Sequence, residues 1–237
     1  MATYKVVDAD QLNADMTSVA DSIRAKGNTT GALAWPNGYK TAIEAIQSQD
    51  TSIEDGFINN QLPEEYSNDR VESVITRVFH GRKLKKISLP NVKTINGSSF
   101  QQCTKLIEIN VPKFKTTYSS TFAECEMLPM IDLPVLTSIG NYMFQKNYSL
   151  KTVVLRKETI TTLSATNAFQ DCSHFHGTVH ATYNPEGLKD GYFYVPSALL
   201  ATYQTATNWS TFADRFRPLE DYTVDGTTTG AFDTSKI

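Results

Sequence analysis

The sequence predicts an α+β chain made mostly of a β-rich, right-handed repeat solenoid of roughly five turns of ~22 residues, with a small helical N-terminal module. Three observations predict it. Segments 87–106, 109–128 and 131–150 start at a constant spacing, since 109 − 87 and 131 − 109 both equal 22. At that spacing Leu89, Val111 and Leu133 coincide, as do Pro90, Pro112 and Pro134, and Phe100, Phe122 and Phe144. A helical stripe of Leu12, Met16, Val19 and Ile23 stands apart from this array, near the N-terminus.

Each part of the repeat has a physical reason. Ile-x-Leu alternation is a short strand with one buried face. The proline after it has no amide hydrogen, so it ends the strand and turns the chain. The later isoleucine and phenylalanine point back inward and close the coil. The next slot holds Cys103, Cys125 or Asn147, small enough to sit inside a turn, where Asn can satisfy backbone groups. Leu106, Leu128 and Leu150 end the unit. A fourth copy starts at Val153, has Arg156 in the proline slot and reaches Phe169 three residues late. A degenerate copy precedes the array, with Val71, Val74 and Phe79 lying 21 residues before Val92, Ile95 and Phe100. A coil of this length cannot bury its own apolar side, but stacked coils can.

The chain divides accordingly: a helical attachment or oligomerisation module over 1–50, a linker and solenoid entry over 51–70, the solenoid over 71–196, a helical cap over 197–222 and a flexible tail over 223–237. Pro196 suits the first turn of the cap, and Trp209, Phe212 and Phe216 are expected to cover the open last coil. Asp8 or Asp10 can cap the first helix and Gly27 can stop it. Two short helices make a poor core of their own, so the stripe is expected to pack against another copy, another protein or the end of the solenoid.

The repeat pattern, (I/V)-x-(L/V)-P-x-x-x-x-I-x-x-x-x-F-x-x-(C/N)-x-x-L, resembles the bacterial BspA-type leucine-rich repeat. It covers 71–175, with a closing strand at Tyr192-Phe193-Tyr194-Val195-Pro196. Thr117 departs from it in an isoleucine slot, and Arg82 in a cysteine slot. The resemblance implies a leucine-rich-repeat solenoid with adhesive use and no single reaction. The N-terminal stretch around Leu12–Gly27, Trp35-Pro36-Asn37-Gly38-Tyr39 and Ala42–Ile46 is similar to modules of phage and prophage tail proteins from Gram-positive hosts. Tyr203, Ala206-Thr207-Asn208-Trp209-Ser210 and Pro218-Leu219 resemble the ends of the same proteins.

These likenesses imply a non-enzymatic structural and host-receptor-binding protein of a phage tail, baseplate or tail-like particle. Its partners would be other tail or baseplate proteins and a host cell-surface glycan or protein. It would form a homo-oligomer, with a trimer favoured, and act from a virion assembled in the host cytoplasm. A cell-surface adhesin, a head-decorating fibre and a glycan-cleaving tailspike are the alternatives. The start Met1-Ala2-Thr3-Tyr4-Lys5 shows no signal peptide, which favours the particle over the adhesin.

Composition bounds the rest. The chain has 237 residues, 40% apolar and 20% charged, so it is neither disordered nor low-complexity. No apolar run exceeds four residues, as in Ala198-Leu199-Leu200-Ala201, far short of the ~20 residues that span a membrane. Net charge is −3, with no overall pull toward nucleic acid or membrane. Charge is uneven, however. Residues 77–115 hold nine basic side chains against Glu108, among them Lys83, Lys85 and Lys86. This stretch suits an anionic wall polymer, a solvated face or a seat for another subunit.

Ser88, Asn110, Asp132 and Val154 fall between the buried strand residues and should form an exposed row along the sheet, a surface for a receptor glycan. His174, His176 and His180 form the one metal-like cluster, read as two histidines on one strand face, and more simply as an exposed loop. No cofactor motif is present. Cys103 and Cys125 stack in neighbouring turns, within disulfide reach, although their inward slots favour buried free thiols. No Gly-x-Ser-x-Gly or other nucleophile motif appears, so no catalytic residue is assigned.

Overall fold

The computed structural model describes residues 63–237 together with Asp21. The chain divides into two compact units, Met1–Leu62 and Pro63–Ile237. The helical stripe of Leu12, Met16, Val19 and Ile23 lies outside the described residues.

Unit two is the expected β-rich solenoid. Its strands β1 (Glu65–Ser67), β3 (Lys86–Ser88) and β5 (Glu108–Asn110) form one parallel sheet. β6 (Met130–Asp132), β8 (Thr152–Val154), β10 (Tyr192–Val195) and β11 (Phe216–Pro218) form the next, also all parallel. The register follows the repeat: Ile87 faces Ile109, and Ile131 faces Val153. Tyr66 faces Ile87, so the first strand lies within the stretch expected to be a linker. The last two offsets differ: Phe193 faces Val153, 40 residues on, and Phe216 faces Phe193, 23 residues on.

A second column of shorter parallel pairs lines another side of each coil. β2 (Ser73–Val74) pairs with β4 (Thr94–Ile95), and β7 (Ser138–Ile139) with β9 (Thr162–Leu163). The coil has two strand columns because the isoleucine slots Ile95 and Ile139 also bury an extended segment. The column thins to an isolated bridge, Thr94 to Thr116, where Thr117 replaces isoleucine. The Thr117 hydroxyl instead donates to the Ser138 carbonyl at 2.9 Å.

The third side carries the phenylalanine column. Phe79, Phe100, Phe122, Phe144 and Phe169 stack with centroids 4.9, 5.4, 5.9 and 5.2 Å apart, tilted by 17° or less. Each is at most 3% exposed. Amides run from coil to coil along the column: Phe100 N donates to Thr121 O, Phe122 N to Met143 O and Phe144 N to Ala168 O. Two left-handed residues flank each central phenylalanine, at Ser98 and Gln102, Ser120 and Glu124, Tyr142 and Lys146. Gly81 fills the second of these corners in the first coil, where an L side chain is disfavoured.

The small slot behaves as its size predicts. Cys103, Cys125 and Cys172 are buried free thiols, each donating to the phenylalanine carbonyl of an adjacent coil: Phe79, Phe100 and Phe144 respectively. Burial pushes the Cys103 thiol up to about 12 and raises the other two. In the Asn147 coil the side-chain oxygen accepts from Cys125 N at 3.0 Å.

The C-terminal end is closed by aromatic packing. Helix α1 (Ser173–His176) sits inside the last coil, and α2 (Leu200–Thr205) is followed by a 3-10 segment, Trp209–Arg215. Phe175, Phe193, Tyr203, Trp209, Phe212 and Phe216 pack around Phe169 and one another. Trp209 Nε1 donates to Thr161 O, and Thr161 N donates to Tyr203 Oη, both at 2.8 Å. The helical stretch expected over 197–222 therefore also contains a strand, β11, that extends the sheet.

The expectation of a flexible tail over 223–237 is corrected. Thr223 bridges Phe232, and Phe232 packs edge-on against Tyr194 with centroids 4.8 Å apart. Arg156 holds the segment from below: its Nη1 donates to the Thr228 and Gly230 carbonyls at 2.8 and 2.7 Å. Thr, Gly and Asp composition suggested mobility, but one half-buried arginine and one aromatic ring anchor this segment.

Candidate functional site

The outer face of the long sheet follows from strand alternation: inward side chains alternate with outward ones. Inward go Ile87, Ile109, Ile131, Val153 and Phe193, all at most 9% exposed. Outward go the residues of two rows. The row expected to hold the receptor runs Ser88, Asn110, Asp132, Val154 and continues through Tyr194 and Arg217.

The structure places its members differently. Asn110 is exposed and donates to Ser88 Oγ at 2.9 Å, a polar rung between neighbouring strands. Asp132 is half-buried and committed: Arg156 Nε reaches both its oxygens at 2.9 Å, and Nη2 reaches one at 2.7 Å. Val154 was expected to be exposed and is fully buried. The C-terminal segment covers it, with Tyr194, Leu219, Tyr222 and Phe232 packed around it. The open part of the row is therefore its N-terminal half, and its far half runs beneath the C-terminal segment.

A pocket stands at each end. A small one of about 220 Å³ lies among Glu65, Tyr66, Ser67, Lys86, Ser88 and Glu108. A larger one of about 500 Å³ lies where β8, β10 and β11 meet the C-terminal segment, with Tyr192, Tyr194, Tyr222, Lys151, Asp190 and Arg217 in its lining. Arg217 lies over the Tyr192 ring, 4.0 Å from its centroid, a favourable cation–aromatic contact.

Among the described residues, three of the nine cations in the basic stretch are matched by carboxylates. Lys85 meets Glu64 at 2.6 Å, Lys86 meets Glu65 and Glu108 at 3.2 and 3.9 Å, and Lys93 meets Glu72 at 2.9 Å. Lys83 is exposed. These exposed pairs each contribute ~0–1 kcal/mol, so they matter for local charge more than for stability.

The three histidines are engaged separately. His174 and His176 lie on the short helix α1, not on a strand. His174 is buried, with Nδ1 2.6 Å from Asp190 Oδ1 and Nε2 3.0 Å from the Tyr183 carbonyl. His176 Nε2 lies 3.0 Å from the Phe169 carbonyl. The His180 ring stacks on Tyr148 and Tyr183, and its Nδ1 accepts from the Thr182 and Tyr183 amides. His174 and His180 thus stitch the inserted loop around residues 178–190 to the coil, and His176 ties the short helix to Phe169. Among the described residues no cluster of three or more His, Cys, Asp or Glu could hold a metal ion. Asp190 also takes Lys151 Nζ at 2.8 Å. Burial works against its charge, but the hydrogen bonds from Lys151 and His174 outweigh it and hold the carboxyl below its usual range.

Sequence reasoning missed Lys151, Asp190, Tyr192 and Arg217 as one group. They meet because a 40-residue step separates Val153 from Phe193, which a 22-residue period does not reveal. Aligning the aromatic strand Tyr192–Val195 with Thr152–Val154 would have brought them together.

No curated protein matches the sequence. Among solved structures, the crystal structure of the T. pallidum leucine-rich repeat protein matches with 27% identity and a TM-score of 0.42, covering 47% of this chain and 57% of that one. The pneumococcal vaccine antigen PcpA matches with 14% identity and a TM-score of 0.39, covering 66% of this chain and 40% of that one. The chain thus spans less than two thirds of either. The profile of the BspA type leucine rich repeat region matches residues 51–176 in six copies, beginning before the start expected at 71. With that match over more than half its length, and the strand and phenylalanine columns it implies, the chain belongs to the BspA-type leucine-rich-repeat family.

Proposed function

We propose that the chain is a non-enzymatic adhesion protein whose solenoid binds a glycan or protein on a bacterial surface. The observation that carries this is the outer sheet face, with polar rungs at one end and a tyrosine-lined pocket at the other. Repeat proteins present such extended faces as binding surfaces. The buried, protonated thiols and the structurally engaged histidines support binding over nucleophilic catalysis.

The finer reading is a phage tail or baseplate component from a Gram-positive system, with residues 1–50 attaching the solenoid to the particle or joining copies as a trimer. The resemblance of the N-terminal stretch supports it. The alternative, a bacterial cell-surface adhesin, rests on the family's adhesive use.

The test is adsorption of the purified full-length chain to a panel of Gram-positive cells and to a glycan array, with mass spectrometry of the bound glycan. Saturable binding that leaves the glycan intact is expected. Shortened glycan products would overturn the non-enzymatic reading, and absence of binding to every cell and glycan would overturn adhesion. Light scattering on the same preparation reads the oligomer. Gold-labelled antibody on particles from an induced lysate should decorate tail ends; labelling of intact cells with bare particles would favour the adhesin.

A further inference from the structure

We infer that the pocket between β8, β10, β11 and the C-terminal segment is the saccharide site, and that it takes an acidic sugar unit, one bearing a carboxylate or a phosphate. This rests on the adhesion reading above and gives that reading a location and a ligand class.

Enclosure together with unmatched charge selects this pocket over the basic stretch, where Lys83, Lys105 and Lys115 stand exposed outside the linings of both pockets. In that stretch Lys85, Lys86 and Lys93 already face carboxylates. In the pocket Lys151 and Asp190 neutralise one another, and Asp190 is further held by His174. Two cations remain. The Arg217 Nη1 donates to the carbonyls of Asp214 and Phe216, and its Nε and Nη2 make no hydrogen bond among the described residues. The Lys236 Nζ donates to the carbonyls of Asp221 and Thr223 at 3.1 and 3.0 Å. Arg217 has no carboxylate partner among the described residues, and Lys236 forms no ion pair there, feeling Asp233 only at longer range. An open Nε–Nη2 edge is the fork that binds a carboxylate or phosphate through two parallel bonds.

The rest of the lining suits a sugar ring. Tyr192 and Tyr222 supply apolar faces with hydroxyl ends, the buried Tyr194 backs them, and the Asp190 carboxylate can accept from sugar hydroxyls. The volume of about 500 Å³ lies within the ~300–1,000 Å³ of ordinary ligand sites. The lining is also held in place from behind. Tyr194 is wedged edge-on between Tyr222 and Phe232, with centroids 4.7 and 4.8 Å away. Arg217 rests on Tyr192, and Asp190 is fixed from two sides. Preorganised side chains lose less freedom on binding.

The experiment is calorimetric titration of the full-length chain with three tetramers: alternating glucuronic acid and N-acetylglucosamine, glycerol phosphate, and neutral N-acetylglucosamine. At least one acidic tetramer should bind, and more tightly than the neutral one. Binding of the first alone assigns a carboxylate sugar, of the second alone a phosphate polyol, and of both a site reading charge in general. The double variant R217Q/K236Q should weaken the acidic ligand by about tenfold or more, the size of one lost charge-assisted contact. Y192A should weaken it too, and K146Q, a lysine outside both pockets and outside the basic stretch, should leave it unchanged. Unfolding midpoints are read alongside, and R217Q alone serves if the double variant unfolds early. Equal affinity for the neutral tetramer, no binding of either acidic one, or unchanged affinity in a folded R217Q protein overturns the inference. If the wild-type chain still adsorbs to cells in those cases, the adhesion reading survives and only this site falls; if it adsorbs to none, both fall.

Discussion

Replacing Arg156 by methionine isolates the contact that fastens the C-terminal segment to the solenoid. The guanidinium makes five hydrogen bonds: three to the Asp132 carboxylate and one each to the Thr228 and Gly230 carbonyls. The arginine side chain is 10% exposed and the aspartate 30%. Methionine keeps much of the aliphatic volume, so the loss is mainly polar. Breaking a buried ion pair by removing one partner costs ~3–5 kcal/mol. Water can reach the orphaned Asp132 and the freed carbonyls, which places the expectation at about 3 kcal/mol, the lower end of that range. For a unit of this size that lowers the melting midpoint by roughly 6–12 °C. Urea unfolding of R156M, D132N and the double variant should give a coupling of ~1–2 kcal/mol between the two sites. Hydrogen exchange supplies the local readout. The Val224 amide, bonded to Ala231 O, and the Asp233 amide, bonded to Tyr222 O, should lose protection in R156M. A stability loss below ~0.5 kcal/mol with both amides still protected would refute the claim that Arg156 anchors this segment.

Three further outcomes are expected. Phe122→Ala, in the middle of the stacked column, should cost ~3–5 kcal/mol in urea unfolding, because it opens a cavity between Phe100 and Phe144. Lys146→Gly should stabilise by ~0.5–1 kcal/mol in the same assay, since Lys146 holds a left-handed φ of 57° that glycine adopts freely. Asp190 has a folded value lowered from 3.8, so its contribution is complete above that value and is lost as pH falls through the lower folded value. Stability measured from pH 6 downward should therefore fall less steeply below about pH 4 in Asp190→Asn than in wild type.

Much of the architecture was legible because it repeats. Leu89, Val111, Leu133 and Leu155, and the phenylalanines from Phe100 to Phe169, are buried where a single coil could not bury them, and their spacing alone announces stacking. Free inward thiols followed from the same logic. What was not legible broke the period. The left-handed corners beside Phe100, Phe122 and Phe144 hold Ser, Gln, Glu, Tyr and Lys, none of which marks a positive φ in a sequence. The burial of Val154 depends on a segment some 70 residues away, fastened by an arginine standing in a proline slot. The larger pocket collects side chains from three strands whose offsets, 40 and 23, are set by an inserted loop and a cap. The histidines looked like ligands because their backbone carbonyl partners are invisible in a linear reading.

The thiol ladder carries a consequence for how the array can lengthen. Each cysteine donates to a carbonyl of the adjacent coil and asks nothing of its own. The joints made by these three cysteines are thus written in nearest-neighbour terms, and a duplicated cysteine-bearing 22-residue segment arrives with half of each new joint in hand. The closed aromatic end has no such modularity, because Phe169, Phe193, Trp209 and Phe212 interlock across three different elements. Unequal crossing-over can therefore change the reach of the middle of this molecule without disturbing its terminus, so an acidic-sugar site at the terminus could be carried unchanged on stems of different length.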